Sequence, residues 1–149
     1  MTTLREAFTS KQRPKIAAEL VTLIDDTIAG YKGFTGTAIK TTVGAVKKTD
    51  PNLINRSVQA VIPEFADAMQ PLWDAYTADN TAESFSAYVL QDPDNVADYL
   101  LSHADKHTDR INNKALAKLY ASLRNRAVPL LKPALGPMAA IVQRYAPQV

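Results

Sequence analysis

The chain has no cysteine among its 149 residues. That excludes disulfides, thiolate nucleophiles and cysteine-held zinc, and it fits a reducing cytosol. A run of roughly 18 apolar residues, the mark of a membrane-spanning helix, is also missing. The closest approach, residues 127–146, is interrupted by Lys132 and Arg144. The N-terminus offers no hydrophobic segment of a secretory signal. Charge of one sign is scarce by region. Residues 1–49 hold eight Lys/Arg against four Asp/Glu, net +4. Residues 50–105 hold one Arg, Arg56, against ten acids, net −9. Residues 106–149 hold eight Lys/Arg against one acid, Asp109, net +7. The overall charge of +2 hides this layout. Such segregation means either that oppositely charged parts hold one another, or that a basic face awaits an anionic partner.

What is present is the pattern of an all-α protein. Apolar residues make up 46% and charged residues 21%, so a packed core rather than disorder is expected, and the length suits one domain. After a polar lead-in over residues 1–12, Pro14 stands where a first helical residue belongs. Ile16, Leu20, Leu23, Ile24 and Ile28 then recur at helical steps up to Gly30. In residues 37–48 Thr37, Ile39, Thr41, Thr42, Val43 and Val46 are β-branched, yet Ile39, Thr42, Val43 and Val46 also form a helical stripe. A lone strand would have no partner, so the expectation is helix. Asp50-Pro51 reads as a helix start. From Ile54 to Tyr76 the large apolar residues fall within an arc of about 140° on a helical wheel, Val61 among them, while Pro63 and Pro71 fall on the polar side. That predicts one long helix bent around a core. Asn80-Thr81-Ala82-Glu83 resembles a capping box before a short helix, Asp92-Pro93 opens another, and Thr108 is placed to cap the next. From Leu116 to Tyr145 one apolar phase continues across Pro129, Pro133 and Pro137, so an interruption is expected near 127–137 with one buried face shared by both halves. The expected architecture is a compact single-domain bundle of about six to seven helices over residues 13–149, with two long proline-bent segments. The absence of sustained heptads argues against a coiled coil.

No catalytic constellation is legible. His103 and His107 share a helix face at i, i+4, but Ala104 stands where a zinc protease has its glutamate. Val96, Tyr99, Leu100 and Arg110 offer no third ligand on that face. They read as histidines at the edge of a core, and no metal or cofactor is expected. Gly30-Tyr31-Lys32-Gly33 has the form of a GxxG nucleic-acid clamp, but no strand set accompanies it, so a tight helix–helix turn with glycines at positive φ is expected. Lys106, Arg110, Lys114 and Lys118 make an i, i+4 ladder leading to Arg124 and Arg126. Like charges at this spacing repel. The expected complement is the acidic block, for example Asp67, Asp74, Asp92, Asp94 and Asp98, in the same subunit or a second copy. The alternative is an anionic partner, nucleic acid or a membrane surface, engaged also by Lys32, Lys40, Lys47 and Lys48.

The stretch from Tyr31-Lys32-Gly33-Phe34-Thr35-Gly36 to Ala75-Tyr76, with the proline-spaced tail, resembles a small family of uncharacterised bacterial all-helical proteins. The resemblance covers most of the chain and implies no activity, cofactor or site residue. The functional expectation is therefore a non-enzymatic cytoplasmic protein acting through protein–protein contact or self-association, with an anionic-ligand module as the alternative.

Overall fold

A computed structural model describes residues 3–79, 81–106 and 113–147. The described residues contain no strand and fold into an all-α domain. Six helices have ten or more residues: α2 (Arg13–Ala29), α3 (Gly33–Thr49), α4 (Leu53–Asp79), α6 (Pro93–Asp105), α7 (Lys114–Leu123) and α8 (Ala127–Tyr145). Two short ones, α1 (Leu4–Phe8) and α5 (Phe85–Val89), complete the set, and a 3-10 turn, Arg124–Arg126, joins α7 to α8.

The expected lead-in over residues 1–12 is corrected. Leu4 and Phe8 are fully buried, and α1 packs on α4. Thr3 caps it through the Glu6 amide at 3.1 Å, and Gln70 Oε1 accepts from the Leu4 amide at 2.7 Å. Five residues are too few for a periodicity signal; only the i, i+4 pair Leu4 and Phe8 marks the helix.

The long helix is continuous from Leu53 to Asp79, with Pro63 and Pro71 inside it. Pro71 is exposed and Pro63 half-buried. Proline has no amide hydrogen, so Pro63 leaves the Gln59 carbonyl without its helical donor. The Arg13 guanidinium supplies one at 2.5 Å. Pro51 precedes the helix by two residues, where Asp50 takes the Leu53 amide on its carbonyl and pairs with Arg56. Arg56 holds the Asp50 carboxyl below the usual carboxylate range.

Residues 33–49 are helical, as the stripe requires. Among the described glycines only Gly33 has a positive φ, 76°, while Gly30 is right-handed. Gly36 is there for space: a Cβ would lie 2.7 Å from the Tyr31 backbone carbon. Ser84, not Asn80 or Thr81, caps α5, accepting from the Ala87 amide at 3.0 Å; Asn80 lies outside the described residues. Phe85 then stands edge-on to Trp73, with ring centroids 5.2 Å apart. Thr108 also lies outside them, and Asn113 caps α7.

The C-terminal segment departs from expectation. Its break falls at residues 124–126, ahead of the prolines. Pro129 sits in the first turn of α8, where an amide has no helical partner anyway; Pro133 and Pro137 ride on the exposed side. The two halves do not share one buried face. α8 packs on α2, α5 and α6, whereas α7 packs on α3 and buries no residue. The main core draws on α1, α2, α4, α5, α6 and α8. α3 and α7 lie beside it as a second, outer layer.

Candidate functional site

Three clefts adjoin one another, two of them walled partly by this outer layer and the third by α2, α4 and α8. The first, about 450 Å³, runs among α3, α4, α7 and α8 and is walled by Ile39, Leu53, Leu116, Leu119 and Leu123. The second, about 330 Å³, lies between α4 and α6, with Phe65, Leu100 and Met138 in its wall. The third, about 380 Å³, opens towards Leu20, Ile24 and Ile28 of α2. Val61 of α4 and Leu131 of α8 line all three, so the clefts adjoin one another along these two side chains.

The sequence explains why space collects there. Val61 belongs to the inward stripe of α4, yet it is 37% exposed. Leu116, Leu119, Tyr120 and Leu123 make the apolar face of α7, yet none is buried. Leu130 and Leu131 of α8 are only half-buried. Apolar stripes of three helices converge without filling the volume between them. Concave apolar clefts of this size are the usual form of a ligand pocket.

Polar groups in the walls are few. Tyr31 lines two of the clefts, and its hydroxyl donates to the Leu130 carbonyl at 2.5 Å; burial raises its phenol pKa. Ser57 and Asn113 border the first cleft, Glu64 and His103 the second. The His103 ring stands edge-on to Tyr99, with centroids 4.6 Å apart. His103 thus borders the cavity at the edge of the core, and His107 lies outside the described residues. No group of three potential metal ligands occurs among the described residues.

One latch fastens α7. Tyr120 donates its hydroxyl to Asp105 Oδ1 at 2.6 Å, and Arg124 Nε reaches both carboxylate oxygens at 3.0 and 2.9 Å. Asp105 ends α6, where a carboxylate opposes the helix dipole. The Tyr120 bond foremost, and Arg124 after it, hold its pKa below the usual carboxylate value. Burial, together with the bond to Asp105, pushes the Tyr120 phenol up to about 12.

The basic ladder is only partly answered. Arg124 pairs with Asp105, and Arg126 donates to Thr35 Oγ1 at 3.0 Å. Lys106, Lys114 and Lys118 are exposed and have no ion pair among the described residues; Arg110 lies outside them. The acids expected to face the ladder turn elsewhere: Asp67 pairs with Arg5 and Asp94 with Lys132. Asp92 and Asp74 bond to side chains of their own helices, Asn95 and Gln70. Asp98 lies close enough to Arg124 for its charge to favour the guanidinium. The GxxG segment forms the tight turn expected of it, with Tyr31 turned to the cavity and the Lys40 ammonium on the Tyr31 carbonyl at 3.0 Å. Sequence reasoning missed the cavity altogether; the unburied face of α7 has no signature in its residues, which look like those of a buried one.

Residues 4–146 match a family profile, from the first buried residue of the core, Leu4, to the last, Ala146. The chain belongs to a family of unknown function, DUF6918. No curated protein and no solved structure matches it. Family membership thus brings no residue roles, and function has to be argued from the cavity and the charges. No helix among the described residues is long and apolar enough to cross a membrane.

Proposed function

We propose that this protein binds an elongated apolar molecule, such as a long acyl chain, along the adjoining apolar clefts that meet at Val61 and Leu131. The observation that carries this reading is that Val61 and Leu131 each line three adjoining apolar clefts. Clefts of about 330 to 450 Å³ lie within the range of small-molecule sites. Few polar groups in the walls suits a ligand that is mostly hydrocarbon. Nothing in this reading requires bond chemistry; the protein acts as a carrier or sensor.

Filling the junction tests it. Wild-type protein should bind a fluorescent polyunsaturated fatty acid. Leu131→Trp should reduce that binding at least tenfold while keeping the helical circular dichroism spectrum. A wild type that leaves the probe free in water would end the proposal. Equal binding by wild type and folded Leu131→Trp would move the site elsewhere.

Self-association in the cytoplasm is the second reading. Its support is separation of charge: α3 and α7 carry no acid, while Asp92 and Asp98 stand exposed at the start and on the outer side of α6. The basic face of one copy fits the acidic face of another.

A further inference from the structure

We propose that the α3–α7 layer is a docking face for an anionic lipid surface, with Phe34 as its inserting side chain. The inference deepens the cavity reading, because it names where an apolar ligand would come from, but it rests on different residues.

Phe34 is 97% exposed, the extreme among the large hydrophobic side chains described. It stands in the first turn of α3, just after Gly33 and its left-handed φ of 76°. A phenylalanine held in water at a helix tip contributes nothing to the fold and invites an apolar partner.

Its surroundings are cationic. Residues 30–49 and 113–126 contain no Asp or Glu and eight Lys or Arg. They belong to the two basic ends of the chain, and the fold packs them together, α3 on α7. Two of the eight are neutralised by ion pairs, Lys47 by Asp25 and Arg124 by Asp105. Lys32, Lys48, Lys114, Lys118 and Arg126 are exposed and have no ion pair among the described residues. Arg126 bonds to Thr35, the residue that follows Phe34. On α7, Lys114 and Lys118 fall opposite the apolar face of Leu116, Leu119 and Leu123 on a helix of 100° steps, so they point away from the cavity. Bringing two acid-free helices together costs repulsion, which an anionic surface would relieve.

A single aromatic amid dispersed cations fits a lipid headgroup layer better than a nucleic acid strand. Strand binding relies on several aromatic faces, one per base. An inserting aromatic flanked by lysines is the common pattern of peripheral membrane attachment. The position also suits transfer: Tyr31, three residues before Phe34, lines two of the clefts.

Cosedimentation with phosphatidylcholine vesicles, with and without phosphatidylglycerol, tests the proposal. The full chain should bind the anionic vesicles and not the neutral ones. Phe34→Ala should weaken binding about tenfold, and Lys118→Glu by roughly fivefold or more. Both positions are exposed, so the circular dichroism spectrum should stay that of the wild type. Absence of vesicle binding, or binding unchanged in both variants, overturns the proposal; so does preference for single-stranded nucleic acid over anionic vesicles at equal salt. Fatty-acid binding separates the two readings. Vesicle binding lost with probe binding kept overturns only the docking face. Vesicle binding kept without probe binding overturns only the cavity reading.

Discussion

Arg13 shows how single residues carry long-range structure in this protein. Pro63 deprives the Gln59 carbonyl of its donor, and Arg13, 46 positions away along the chain, restores it. Removing Arg13 leaves a partly buried carbonyl unpaired, at a cost of about 1–3 kcal/mol. In a Pro63→Ala background the helix supplies its own amide, so Arg13→Ala should cost less there. Urea unfolding of both single variants and the double should show a coupling of about 1 kcal/mol. Strict additivity would mean that the carbonyl finds another donor. Gly36 teaches a similar lesson: the chain spells a glycine motif, but the reason for this glycine is the Tyr31 backbone 2.7 Å from its missing Cβ.

At the scale of elements, α7 differs from the rest. It is amphipathic, buries no residue, and is fastened by the Tyr120–Asp105–Arg124 latch. The pH dependence follows from the direction of each shift. Asp105 has a folded pKa below its unfolded value, so its contribution is present above the ordinary carboxylate range. It disappears as pH falls through the lowered value. Tyr120 has a raised pKa, so its contribution is complete below 10 and is lost as pH climbs towards about 12. Amide protection factors in α7 should therefore fall on acidification before those in α4 do. Asp105→Asn should show the lowered α7 protection already at neutral pH. If α7 and α4 lose protection together in the wild type, the latch is not what holds α7.

For the whole molecule the governing fact is the meeting of the two basic ends in one layer. Among the described residues that layer leaves several cations without ion pairs, while Asp92 and Asp98 stand on α6. If copies associate through these faces, sedimentation at low salt should show a species larger than a monomer. It should revert to monomer as the Debye length shrinks to about 3 Å near 1 M salt. A monomer at low salt over a wide concentration range would remove self-association and leave the layer free for other partners.

Local patterns were legible because they depend on near neighbours along the chain. The helical period of α2 and α4, the choice of helix over strand at 37–48, and the placement of Pro63 and Pro71 on one side follow from residues a few positions apart. They fixed the all-α class and the continuity of α4. A helix wheel tells which side of a helix is apolar, not what lies against it. Whether Val61 and the face of α7 meet side chains or empty space was decided by packing, as were the burial of α1, the Asp105 latch and the separation of the ladder from most of its expected acids. These depend on how far apart the helix axes stand, and many distant contacts set that distance together. The cavity and the basic layer are therefore properties of the tertiary structure, although every residue in them was visible in the chain.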